Sequence, residues 1–448
     1  MTRRGAFALR FLVLLILPLS AVGQQYSIYS TKLDNGLEVI AIENPIVPLV
    51  TVELDVRNGS YTEPPEYNGL SHLYEHMFFK ANASIPNQEA YLARARELGM
   101  TWNGTTSEER VNYFFTLPKD SLRQGLEFMK AATLTPLFLQ AELERERPVV
   151  TGEYDRNEAN PFYYLFRDVN QKLWYKYYSR KNVLGERETI LTADQKKMQT
   201  IKDRYYIPNN SALLVAGAVQ HEQIFALARE YFGDWKKGAD PFTLYPVPEH
   251  PPLTASSTVV VEKPVNAVTV MIALHGPSVT KDPGATYAAD VLSYILQQKN
   301  SGFQKRLVES GLCAFANFQY QTLDHTGPII IMAQMSADKF VAGEKQLLDE
   351  LAHLTDPAYY TDEQLVNAKT ALERNEMFGQ ERPSQFVHTV GYWWAVVGNL
   401  DYYLHYVENL RKVTRKDIND YVKKYIQSAP NVKGILVSPA DRPKILPQ

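Results

Sequence analysis

His72-Leu73-Tyr74-Glu75-His76 sets two imidazoles four residues apart, with a carboxylate directly before the second. On a helix, residues four apart leave from one face, so both rings reach a single metal ion. Glu75 flanks the second ring closely enough to hold a water on that metal. Two imidazoles are an incomplete catalytic zinc site, which takes three protein ligands and keeps a position for water. The third ligand has to come from another element, and the acidic stretch Glu142-Leu-Glu-Arg-Glu-Arg-Pro-Val-Val-Thr-Gly-Glu153 offers candidates. Within it Glu146 and Glu153 stand seven residues apart, two helical turns, and share a face. One of them can bind metal while the other holds a ligand in place from behind.

The elements that must position these groups are legible as periodicities. Leu70, Leu73 and Met77 at helical spacing predict a helix over 70–79 that carries the histidines. Further helices are expected at 88–98, 122–132, 140–157, 162–175 and 221–232. Alternating strands are expected at 28–42, turning at Asp34-Asn35-Gly36, and at 47–56, with shorter ones at 113–117 and 211–216. Mixed strands and helices in this order predict an α+β fold with a largely antiparallel sheet covered by helices. The proline-rich stretch over 237–257 reads as a linker. Beyond it the first half returns: the strand at 264–274 matches the one after Pro45, and a shift of about 218 lays the 70–79 helix on Ala288–Gln297. A repeat of that length means two copies of one domain rather than a solenoid. The expected organisation is a segment at 1–23, a metal-bearing domain at 24–236, the linker, and a second similar domain at 258–448.

Composition narrows the function classes. The 448 residues hold 47 Lys+Arg against 50 Asp+Glu, a formal charge of −3, with no basic excess to bind a polyanion. The single cysteine, Cys313, excludes an intrachain disulfide and a zinc site built on thiolates. Met1–Gly23 has the three-part layout of a signal peptide: arginines, a short apolar run, then small residues. The expectation is an exported, periplasmic protein without a stable membrane anchor.

Three features together resemble the pitrilysin or insulinase family of zinc peptidases. They are the stretch Gly69 to Lys80 around the histidines, the stretch Glu144 to Glu153, and the duplicated domain. The resemblance implies Zn2+ held by His72, His76 and Glu153, with Glu75 as general base and Glu146 as the carboxylate behind a ligand. Trp102-Asn103-Gly104-Thr105-Thr106-Ser107 is similar to the family's Asn-Ala-x-Thr-Ser, on a sheet edge to which an extended peptide adds as a strand. There Asn103 would contact the substrate backbone near the scissile bond. The implied activity is zinc metalloendopeptidase action on peptides or unfolded segments.

The second half departs from the family pattern. Members that act alone carry an Arg and a Tyr, seven residues apart, that grip the substrate. Aligned on Gly311-Leu312, those positions fall on Leu307 and Ala314, with Arg306 and Phe315 one residue off. The shifted helix has Asp290, Ser293 and Tyr294 in place of His72, Glu75 and His76. The missing pair points to a heterodimer whose homologous partner supplies the clamp; the alternative is that Tyr320 or His325 serves locally. A contrasting reading is a non-catalytic scaffold that keeps the fold, against which the intact His72, Glu75, His76 and Glu153 argue.

Overall fold

The computed structural model describes residues 27–445, so the expected export signal at Met1–Gly23 lies outside the described residues. Among the described residues no helix is long and apolar enough to cross a membrane.

Strands β1 (Ser27–Lys32), β2 (Glu38–Glu43), β3 (Leu49–Val56), β4 (Thr101–Thr106), β5 (Val111–Pro118) and β6 (Ser211–Gly217) form a six-stranded sheet in the order β1-β2-β6-β3-β5-β4. The pair β2 and β6 is parallel and every other pair is antiparallel. A second sheet of five strands takes β7 (Ser257–Glu262), β8 (Val268–His275), β9 (Phe315–Tyr320), β10 (Pro328–Met335) and β11 (Val432–Val437) in the order β7-β11-β8-β10-β9. Here too a single pair, β7 with β11, is parallel. The two orders superpose strand for strand once β1 is set aside. β2 to β7 and β3 to β8 are each offset by 219 residues, next to the 218 read from the helix pattern. The fold is therefore α+β and duplicated, as the sequence predicts.

In the first half, α1 (Leu70–Phe78), α2 (Gln88–Glu97), α3 (Leu122–Leu134), α4 (Gln140–Glu158) and α5 (Pro161–Leu173) follow the expected ranges to within a few residues. Their counterparts include the helix Pro283–Gln297 for α1, Asp362–Gly379 for α4 and Pro383–Val397 for α5. One face of the first sheet, with Val50, Val52, Leu54 and Val56, packs on the first half's own helices.

The other face of each sheet is covered by a helix of the opposite half. Leu165, Val169 and Leu173 of α5 bury against Val261, Met271 and Leu436 of the second sheet. Reciprocally, Phe386, Val387 and Val390 of the Pro383–Val397 helix bury against Ile40, Ile42 and Leu214 of the first. The alternation in β3 reads as a strand with one solvated face, yet Thr51, Glu53 and Asp55 on that face are all buried beneath this helix. The two carboxyl groups meet partners from both halves: Arg110 Nη1 lies 3.4 Å from Asp55, and His388 Nδ1 bonds Glu53. A loop contact closes the same seam. Glu109 accepts the N–H groups of Asp324 and His325 at 2.8 and 2.7 Å, while Lys181 Nζ donates to the carbonyls of His325 and Thr326 at 2.8 Å each. The stretch over 237–257 carries one helical turn, Pro241–Leu244, and is pinned to the first half, with Arg57 over the Phe242 ring at 4.9 Å.

Candidate metal centre

Helix α1 buries Leu70, Leu73, Tyr74, Met77 and Phe78 and turns His72, Glu75 and His76 the other way, half-buried. Its start is fixed by two residues. Gly69 has φ of +91°, and a Cβ there would sit 2.7 Å from the Leu184 carbonyl oxygen, so only glycine fits. Glu63, buried, accepts the N–H of Gly69 at 2.7 Å and of Ser71 at 2.6 Å, two of the donors a helix start leaves free. Burial outweighs these hydrogen bonds and pushes its carboxyl up to about 7.

Helix α4 buries Leu143, Val150 and Tyr154 on one stripe and brings Glu146 and Glu153 alongside α1. The His72 and His76 Nε2 atoms stand 3.3 Å apart, and His72 Nε2 is 3.5 Å from Glu153 Oε2. One ligand atom from each of the three residues falls within a 4.8 Å cluster. A tetrahedral zinc with ligands at about 2.0–2.1 Å holds its donors about 3.3 Å apart, so these residues fit that ion. His76 Nδ1 donates to Glu146 Oε1 at 2.8 Å, which aims Nε2 at the cluster, and Glu146 Oε2 is held by Lys80 Nζ at 2.5 Å. Burial, with help from the neighbouring His76, lowers His72 to about 4, so its ring is neutral at pH 7. Burial also acts to lower His76, but the Glu146 hydrogen bond and the charges of Glu146, Glu75 and Glu153 prevail and raise it. Against its own burial, Glu146 is held below the ordinary carboxylate range by His76 and Lys80.

Glu75 lies between the two histidine-bearing turns and β4. Burial raises its carboxyl above the usual range, and Thr106 Oγ1 donates to its Oε2 at 2.8 Å. Strand β4 pairs with β5 alone and is the edge of the first sheet. Asn103 is exposed on this edge, and strand alternation sends its side chain to the face opposite Gly104 and Thr106. Of the residues around the site, Lys80, Glu63 and Thr106 carry roles that sequence reasoning missed.

In the second half the positions matching His72 and His76 are filled differently. Tyr294 Oη accepts from Asn375 Nδ2 at 2.7 Å, and Asp290, pushed up to about 7 by burial, accepts from Tyr406 Oη at 2.7 Å. Arg306 is committed to a bidentate pair with Glu350, at 2.5 and 2.7 Å, while Leu307 is buried. Tyr320 donates its hydroxyl to the Pro277 carbonyl at 2.9 Å, and His325 faces the buried Glu109 with Nδ1 at 3.3 Å. Elsewhere, Glu43, His221 and Glu222 also lie within ligand reach of one another. Glu43 there accepts both the backbone N–H and the ring Nδ1 of His221 at 2.8 Å, the work of a helix cap.

Comparison with known proteins decides the lineage. Residues 38–186 match the family model described as Insulinase (Peptidase family M16), and residues 192–372 match the one described as Peptidase M16 inactive domain. The chain belongs to the insulinase (M16) peptidase family. A Rickettsia felis protein named "uncharacterized zinc protease" is 24% identical over 374 residues, 82% of this chain and 87% of its own. Human insulin-degrading enzyme is 28% identical over 227 residues, 49% of this chain and 22% of that enzyme. The solved structure of a Helicobacter pylori protease matches with a TM-score of 0.81 at 21% identity, over 92% of this chain and 100% of the other, a likeness of fold. Membership in the insulinase family agrees with the duplicated sheets and with a second half whose helix lacks the histidines.

Proposed function

We propose that this chain is a zinc-dependent endopeptidase acting on peptides or unfolded segments. The observation that carries the reading is the set of His72 Nε2, His76 Nε2 and Glu153 Oε2 at separations that suit one tetrahedral zinc, with Glu75 beside it. Bound there, zinc supplies an electrophile that polarises a carbonyl and lowers the pKa of water to about 7. The chain's own groups do the rest. The exposed edge β4 offers backbone groups to an extended substrate, which fixes the peptide in register; we assign Asn103 to this contact. Glu75, with Oε2 occupied by Thr106, takes the proton of the attacking water on Oε1 and returns it to the leaving nitrogen. Its raised carboxyl suits a group that must both accept and release a proton. Glu146 and Lys80 keep His76 in its ligating orientation.

Because Arg306 is tied to Glu350 and Leu307 is buried, the second half presents no free arginine at the clamp position. The reading therefore includes a homologous partner chain that completes the substrate grip, and export to the periplasm under the Met1–Gly23 signal. The test is hydrolysis of an unstructured peptide by the zinc-loaded chain, alone and with its partner. Glu75→Gln should abolish turnover with zinc retained; turnover that survives the substitution overturns the assignment. Full activity from the chain alone removes the partner from the account.

A further inference from the structure

Strand β4 touches Glu75 at two points. Thr106 Oγ1 donates to Oε2 at 2.8 Å. Gly104 lies under the same side chain: a Cβ built there would come within 2.9 Å of Glu75 Cγ and 3.1 Å of Oε1. Sheet alternation brings Gly104 and Thr106 to this face together and leaves Asn103 and Thr105 on the other. Thr106 is itself well fixed, paired across the ladder with Val111 at the end of a tight hairpin in which Ser107 N–H donates to the Arg110 carbonyl at 2.8 Å. A glutamate on a half-buried helix face has several rotamers open to it, and a single hydroxyl on one oxygen selects among them.

We propose that Thr106 is a positioning residue for Glu75, so that the edge on which a peptide docks also orients the base that acts on it. The inference rests on the peptidase reading above and deepens it. The hydroxyl engages Oε2 and leaves Oε1 for proton transfer, while the bare backbone at Gly104 gives the carboxylate room to lie against the strand.

The test compares Thr106→Val, which keeps the shape and loses the donor, with Thr106→Ser, which keeps the donor. Thr106→Ala is the second donor-free variant should valine upset the strand. Each is checked for zinc content and melting temperature. Without the donor, kcat should fall roughly 10- to 100-fold, the scale of loss when a reacting group is misplaced by about 1 Å. KM and zinc content should stay within about 2-fold, and serine should restore kcat to within about 3-fold of the wild type on the same scale. An unchanged kcat in the donor-free variants, or serine as slow as valine, overturns the proposal. Crystal structures of the variants give a readout independent of turnover. If the wild-type chain hydrolyses nothing, alone or with its partner, the peptidase reading fails, and the position of the Glu75 carboxylate still decides the inference: displaced in the donor-free variants it stands, unmoved it falls.

Discussion

His76 does two things with its two nitrogens. Nδ1–H is spent on Glu146, and Nε2 is thereby turned to within 3.3 Å of its counterpart on His72. The carboxylates of Glu75, Glu146 and Glu153 stand against two cations, Lys80 on Glu146 and Arg156 on Glu153, which leaves an excess of negative charge that favours a cation. Glu146→Gln keeps the side chain's shape but offers His76 a weaker acceptor and Lys80 no counter-charge. Zinc affinity should fall by about 10- to 100-fold, as measured by competition with a chromophoric chelator; an unchanged affinity would show that Glu146 plays no part in holding the ligand. The histidines and the two glutamates were legible because their spacing is local to single helices. Lys80 on Glu146 and Thr106 on Glu75 were not, because each contact joins elements that are distant in sequence, and no local pattern encodes which side chain meets which.

At the scale of elements, α1 depends on its first turn. The folded carboxyl of Glu63 sits at about 7 against an ordinary value of 4.5, so the folded state binds the proton more tightly than the unfolded one. Its contribution to stability is present below pH 4.5, declines as pH rises through this window and is gone above about 7. The size is about 3 kcal/mol at about 1.4 kcal/mol per pKa unit. Glu63→Gln should remove that slope from the pH dependence of chemical denaturation, and should lower stability at pH 5 because one of the two N–H donors at the helix start loses its acceptor. An unaltered pH slope contradicts the role given to Glu63. The helix ranges themselves were readable from apolar spacing to within a few residues. The burial of the Thr51, Glu53 and Asp55 face of β3 was not, since an alternating strand does not reveal that a helix 330 residues further on lies over its polar side.

In the molecule as a whole, the exchange of α5 and the Pro383–Val397 helix makes each half a part of the other's core. Burying a Leu, Val or Phe side chain is worth about 1.5–3 kcal/mol, so a half expressed alone loses several such contributions and exposes one whole sheet face. Residues 24–236 and 258–448 produced separately should be insoluble or lack a cooperative melt, and should recover one when coexpressed. Two halves that each melt cooperatively on their own would contradict the exchange. The duplication was visible in sequence as an offset of about 218 residues, but the exchange was not, because the apolar stripe of α5 marks a buried face without naming what it faces. Duplication also sets the most direct test. Of two copies of one fold, only the first has histidines at the candidate ligand positions; the second has Asp290 and Tyr294 in place of His72 and His76. Metal analysis of the purified chain, with the ion located by anomalous scattering at the zinc edge, should give one zinc per chain at His72, His76 and Glu153. No zinc after loading, or zinc seated instead at Glu43, His221 and Glu222 or in the second half, would contradict it.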